Sequence, residues 1–234
     1  GGKENRTIKV IVKELESFGI ETEVIPNGGV IGILKGSNPG KRIILRADMD
    51  GLPVKESEKN LKGPKVVVSR NEGVAHMCGH DGHTAMLLGS ARIFSEIKDK
   101  IAGEIVFVFE QGEENGAGIL GIMNRLLQIG GDGIWGIHLK AGVPAGKISV
   151  DPGARMASRI SFEVKIKGKS GHGSRPDLAN NPLDCFTDFY NNLKSMRINM
   201  LNPFDPVTFS IGKVESGSTS NVIPEELFFS GSIR

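Results

Sequence analysis

Residues 104–109 read EIVFVF, one charge followed by five apolar residues in an unbroken run. A run this short, apolar and without polar alternation, is expected of a strand covered on both faces. Downstream, Ile119–Ile129 carries helical periodicity and stops at Gly130-Gly131, and residues 133–138 (GIWGIH) read as a second buried strand. Upstream, Met86, Leu87, Ile93, Phe94 and Ile97 mark one face of a helix over 83–97. Further back, Ile8, Ile11, Leu15 and Phe18 mark another, with Gly19 placed to end it. Strand-like runs follow at 20–25, 30–35 and 42–46, separated by Pro26-Asn27-Gly28-Gly29 and by Asn38-Pro39-Gly40. Strands alternating with helices predict an α/β domain whose central sheet is mostly parallel and flanked by helices.

Beyond residue 153 the pattern changes. Residues 158–167 (SRISFEVKIK) alternate as a half-exposed strand does. Asn181-Pro182 has the form of a cap followed by proline at the first helical position, and Leu183, Phe186, Phe189, Tyr190, Leu193 and Met196 then share one face. Pro206–Val214 and Glu226–Ile233 read as two more strands. The order β-α-β-β is one helix and one strand short of a β-α-β-β-α-β domain. Two domains are therefore expected, 1–153 and 154–234, the second incomplete at its C-terminus.

The chain has 29 basic and 27 acidic residues, interspersed, for a net charge of +2. That balance points away from nucleic acid and from an anionic membrane surface as partners. No window approaches the roughly 18 apolar residues of a membrane span. Two cysteines make no disulfide framework, and reduced thiols suit a cytoplasmic location. Cys185, beside Phe186 in the helical pattern, reads as a small buried apolar residue. The 32 glycines gather near polar motifs, which suggests sites built on loops.

Three of the five histidines fall within eight residues, His76-Met77-Cys78-Gly79-His80-Asp81-Gly82-His83. A thiolate and an imidazole at the Cys78-x-His80 spacing can reach one metal ion from a loop, and zinc takes such donors readily. Asp81 is positioned either to hydrogen-bond a ligand imidazole or to cap a following helix. Glu113-Glu114 follows the central strand, at the end of a sheet where α/β proteins place ligands. Side chains of adjacent residues diverge, so one carboxylate can hold a metal while the other faces water. His138 ends a strand and is a further candidate ligand. Asp48 and Asp50 in Arg46–Gly51 form either a turn or a support for the ligands. A thiol–imidazole pair at Cys78 and a metal-binding or dimerisation protein without catalysis are the alternatives. The first leaves the Glu pair and His138 without a role, and the second has no use for an acid beside Glu114.

RADMDGLPV at 46–54, HMCGHDGHTA at 76–85, EQGEE at 110–114, GIH at 136–138 and GKSGHGSRP at 168–176 occur in that order. So do GSTSNVIPEEL at 217–227 and GSIR at 231–234. Together they resemble the amidohydrolase branch of the dinuclear metallopeptidases, the family of aminoacylases, hippurate hydrolases and indole-acetyl-amino-acid hydrolases, over essentially the whole chain. The resemblance implies a metal-binding α/β domain carrying a ferredoxin-like α+β lid, through which subunits form a homodimer. It implies two divalent ions (Zn, Mn, Ni or Co) held by Cys78, His80, Glu114 and His138, with Glu113 as general base. His172 would polarise the scissile carbonyl, and Asn221 and Arg234 would bind a substrate carboxylate. The substrate implied is a small N-acyl amino acid or related peptide, with dipeptidase or carboxypeptidase activity as the nearest alternative. The family's further metal-binding histidine and its N-terminal His-x-x-Pro-Glu stretch have no counterpart here. EQGEE replaces Gln-Pro-Ala-Glu-Glu, and Ser232 stands where threonine is usual.

Overall fold

The computed structural model describes residues 1–234, the side chain of Arg197 excepted, and they divide into two units, Gly1–Ile148 and Ser149–Arg234. The first unit runs α1 (Asn5–Ser17), β1 (Glu21–Ile25), β2 (Gly29–Lys35), β3 (Asn38–Asp48) and a small hairpin of β4 (Lys59–Asn60) and β5 (Gly63–Pro64). It continues through α2 (His80–Glu96), β6 (Ala102–Glu110), α3 (Ile119–Ile129) and β7 (Gly133–Gly136). The main sheet has the order β1-β2-β6-β3-β7.

EIVFVF is the middle strand, β6. Its side chains alternate between two cores, as the two-residue period of a strand requires. Ile105, Phe107 and Phe109 pack with Ile11 and Leu15 of α1 and with Leu87 and Ala91 of α2. Val106 and Val108 pack with Ile122 of α3 on the other face. The run is apolar without a break because both of its faces are covered.

The sheet is mixed rather than mostly parallel. β3 pairs in parallel with β6 and with β7, while β2 is antiparallel to both β6 and β1. The turn between β1 and β2 accounts for half of this, because a three-residue connection can only return the chain alongside itself. Asn27 takes the positive φ of 55° that the turn needs. At its end Gly29 has φ 125°, and a Cβ there would lie 2.0 Å from the Phe109 carbonyl oxygen, so only glycine lets β2 meet β6.

Residues 133–138 are not a buried strand. β7 ends at Gly136, pairs only with β3 at the sheet edge, and leaves Ile134 64% and Trp135 57% exposed. An apolar run alone does not tell a central strand from an edge whose second side is open. Helix α2 also begins three residues before the expected 83, which brings His80 and His83 onto its first turn. No helix among the described residues is long and apolar enough to cross a membrane.

The second unit runs β8 (Ile160–Lys167), β9 (Gly171–His172), α4 (Pro182–Asn199), β10 (Phe209–Ser216), β11 (Val222–Ile223) and β12 (Glu226–Ile233). β10-β12-β8 form an antiparallel sheet, and β9 pairs with β11. Asn181 caps α4 by accepting the Leu183 N–H at 3.1 Å through Oδ1. The rings of Phe186 and Phe189 lie 5.1 and 5.3 Å from that of the buried Phe229, which fastens the helix to β12. Cys185 is exposed, not buried, because it falls outside this aromatic stripe.

Candidate metal centre

β6, β3 and β7 are parallel, so their carboxyl ends lie on one side of the sheet, and that is where the polar residues collect. Asp48 ends β3 and Asp50 follows it; Glu110 ends β6 and Glu113-Glu114 follow; His138 comes two residues after β7. His80 and His83 are three apart on one face of α2 and buried. Gly79, with φ 84°, turns the chain at the helix start and brings Cys78 beside them.

The hydrogen bonds engage Nδ1 of both His80 and His138 and leave Nε2 of each facing other donor atoms. His80 Nδ1 is 2.9 Å from Asp50 Oδ1, and its Nε2 faces Glu114 Oε1 at 3.8 Å and Glu113 Oε2 at 4.0 Å. Asp50 is fixed in turn by the Glu114 N–H at 3.1 Å. His138 Nδ1 is 2.6 Å from the Leu139 carbonyl oxygen. A carbonyl only accepts, so the proton sits on Nδ1 and the Nε2 lone pair is free, 3.5 Å from Cys78 Sγ. Donor atoms of Cys78, His80 and His138 lie within 4.8 Å of one another, and so do those of His80, Glu113 and Glu114 and those of Asp48, His80 and His83.

These residues fit a divalent ion. Glu114 Oε1 is buried with no hydrogen-bond partner among the described residues. An orphaned carboxylate oxygen is costly, and here it lies among thiol, imidazole and carboxylate donors of the types that zinc and its neighbours accept. The charges point the same way. Burial pushes the Cys78 thiol up to about 11, with Glu114, Glu113 and Asp48 adding to it. Without a cation that thiol is protonated at neutral pH, which removes the basis for a free thiolate nucleophile. Burial also raises the Glu113 carboxyl; Glu114 and Asp48 reinforce this, while Arg46 opposes it.

His80 and Asp50 shift in opposite senses. Burial works to lower His80, but the Asp50 hydrogen bond and the charges of Asp48, Asp50 and Glu114 leave it above its ordinary 6.5. Burial works to raise Asp50, yet the bonds from His80 and from the Glu114 N–H leave it below 3.8. The His80 contribution to stability is full below 6.5 and is lost as pH rises through its raised value. That of Asp50 is full above 3.8 and is lost as pH falls through its lowered value. Metal-free full-length protein is thus expected to exceed Asp50→Asn in melting temperature by most between these two pH values. A difference that stayed flat across pH would show the pair to be neutral.

Asp81 does not hold an imidazole. Its Oδ1 accepts the Gly82 N–H at 2.9 Å, and Asp50 takes the His80 role instead. Asp48 bonds His83, at 2.6 Å. In the second unit, His172 pairs with Val222 across β9 and β11, and its neighbour Gly173 donates to the Asn221 carbonyl at 2.9 Å. Ser174 Oγ lies 2.9 Å from His172 Nδ1, and Thr219 Oγ1 donates to Asn221 Oδ1 at 2.9 Å. Arg234 follows β12 and exchanges backbone bonds with Thr208.

Two parts of the cluster lie outside the site expected from the sequence. Arg46 links Glu110 and Asp48, and His83 links Asp48 to Leu139. The two-residue period of Arg46, Asp48 and Asp50 was the available signal for the first, and the His80-x-x-His83 helical spacing for the second.

Residues 44–220 match the model of peptidase family M20/M25/M40. The chain belongs to this family. Within M20/M25/M40 it is similar to thermostable carboxypeptidase 2 of Saccharolobus solfataricus, 36% identical over 99% of this chain and 59% of the relative. It is equally similar to an N-acyl-L-amino acid amidohydrolase of Geobacillus stearothermophilus, 36% identical over 99% of this chain and 62% of the relative. Among solved structures, a dinuclear metal binding M20 peptidase of Bacillus subtilis superposes with a TM-score of 0.78 at 32% identity, over 99% of this chain and 58% of that one. The chain thus spans about three-fifths of the length of these M20/M25/M40 relatives.

Proposed function

We propose that the full-length protein is a metal-dependent amidohydrolase that cleaves the amide bond of N-acyl amino acids or related peptide-like substrates. The observation that carries this reading is the pair of donor groups joined at His80, Cys78–His80–His138 and His80–Glu113–Glu114, with a Glu114 carboxylate oxygen buried and without a partner. Cys78, His80, Glu114 and His138 would hold divalent metal, zinc, manganese, nickel or cobalt, as four of the five donors of the two-ion site that the resemblance implies, its further histidine having no counterpart among them. Such ions lower the pKa of water towards neutrality and polarise an amide carbonyl. Glu113 belongs to the same donor group as His80 and Glu114 but is the more open of the two carboxylates, and burial raises its affinity for a proton. It takes the proton of the attacking water and returns it to the leaving amine. The roles of His172 at the carbonyl oxygen and of Asn221 and Arg234 at a substrate carboxylate rest on the family resemblance. So do the lid role of residues 154–234 and a homodimer formed through it, while a cytoplasmic location rests on the two unpaired cysteines.

A carboxypeptidase or dipeptidase is the second reading, favoured by the similarity to thermostable carboxypeptidase 2. One panel separates the two. Full-length protein is stripped with a chelator, reloaded with each of the four metals, and assayed on N-acetyl and N-benzoyl amino acids beside dipeptides and longer peptides. Metal-restored release of the acyl group is the expected result. Preference for free-amine peptides would transfer the assignment to the second reading, and no metal-dependent hydrolysis of either would end both.

A further inference from the structure

His83 is fully buried, and neither the metal donors nor the proposed reaction makes use of it. Its two nitrogens are both engaged. Nε2 accepts the Leu139 N–H at 2.8 Å, and Nδ1 lies 2.6 Å from Asp48 Oδ1. A backbone N–H can only donate, so Nε2 carries the lone pair and the ring proton is on Nδ1, donated to Asp48. Asp48 is itself fixed: Arg46 Nη1 donates to its Oδ2 at 2.7 Å, and Thr84 Oγ1 donates to its carbonyl at 2.9 Å. A continuous line of hydrogen bonds thus runs from β3 to the residue after His138.

Leu139 is held by its side chain as well. A Cβ on Gly79 would lie 3.3 Å from Leu139 Cδ1, and one on Gly82 only 2.5 Å, so the leucine rests on the two glycines at the start of α2. Its carbonyl is the group that bonds His138 Nδ1 and leaves Nε2 free. The His83 ring packs against both candidate ligand imidazoles, 5.3 Å from His80 and 4.7 Å from His138 between centroids. This tie matters because β7 is a short edge strand that ends two residues before His138.

We propose that His83 is a positioning residue: by accepting the Leu139 amide while donating to Asp48, it fixes where His138 presents its free Nε2 beside Cys78. The inference rests on the metal-centre reading above and adds a residue to it. His83 has no contact with substrate in this role.

The test compares His83→Leu, which fills the space without polar atoms, with His83→Gln, which can accept at one end and donate at the other. Both are made in the full-length protein. Cobalt(II) is titrated into metal-free protein, and the thiolate-to-cobalt absorption reports Cys78. Loss of a partner that orients a ligand typically weakens metal affinity by about 10- to 100-fold. His83→Leu is expected to show that loss, and His83→Gln to stay within about threefold of wild type. In metal-free protein, hydrogen exchange at the Leu139 amide should speed up in His83→Leu and remain slow in His83→Gln. Wild-type affinity and Leu139 protection in a folded His83→Leu would overturn the proposal. If that variant does not fold, a folded His83→Gln that binds cobalt more than tenfold weaker overturns it instead. Should wild-type protein fail to bind cobalt, or Cys78→Ser bind it with unchanged absorption, the metal-centre reading itself fails, an outcome distinct from both.

Discussion

Glu113→Gln in the full-length, metal-loaded protein is expected to lower kcat by about 10²- to 10⁴-fold while metal stoichiometry stays at the wild-type value. The substitution keeps the shape of the side chain and removes its capacity to take a proton. Its neighbour Glu114 faces His80 at 3.8 Å with the orphaned oxygen, and Glu113 lies at 4.0 Å with a side chain 41% exposed, so the two carboxylates are not equivalent. The buried one suits a metal, and the more open one suits a water and a substrate. Glu114→Gln should therefore reverse the pattern, with metal affinity falling first and rate falling as a consequence. In wild type, kcat/KM should decline as falling pH protonates Glu113, whose carboxyl in the metal-free protein lies above the ordinary 4.5 because of burial and the neighbouring carboxylates. Glu113→Gln with near-normal turnover would show that the base lies elsewhere. Glu113→Gln with less bound metal would show that Glu113 is a ligand.

Much of the cluster could be read from residue order because its members are local in sequence. Cys78, His80 and His83 sit on one loop and helix turn, Glu113 and Glu114 are adjacent, and Asp48 and Asp50 are two apart. What spacing alone cannot supply is the pairing across elements. Asp81 is adjacent to His80 in the chain, yet a helical residue directs its side chain away from its neighbour's, and Asp50, thirty residues earlier, takes the bond. The same limit governs the fold. EIVFVF identifies a strand with two covered faces, and the structure gives it two. GIWGIH looks alike in composition, but its place at the edge follows from which strand pairs with β3, a nonlocal fact. Strand direction departs from expectation for a related reason. An alternation of strands and helices favours parallel pairing, but the hairpin at Asn27 and the insertion of β6 between β2 and β3 put antiparallel strands into half the sheet. In the second unit, β9 and β11 are two residues each and carry no periodic signal at all.

Arg46→Met should destabilise the full-length protein by about 1–3 kcal/mol, the cost of leaving buried acceptors without their partner, short of a fully buried pair because the guanidinium side chain is 26% exposed. Arg46 reaches Glu110 Oε2 with Nε at 2.9 Å and Nη2 at 2.6 Å, and Asp48 Oδ2 with Nη1 at 2.7 Å. Both carboxylates are almost wholly buried, Glu110 with 3% and Asp48 with 2% exposure. Methionine fills the space of the arginine stem but leaves both acids without a cation. Arg42 offers the internal control, because it lies on the same strand and pairs with Glu104 on the same neighbour. That pair is partly exposed, 36% and 27% at the side chains, so its charge interaction contributes only about 0–1 kcal/mol. Urea unfolding of Arg46→Met and Arg42→Met should thus separate them by several-fold in lost stability at an unchanged m-value. Equal losses would mean that burial does not set the strength of the Arg46 network. The consequence would reach the metal centre, because Asp48 is the acceptor for His83, and through it for the segment that carries His138.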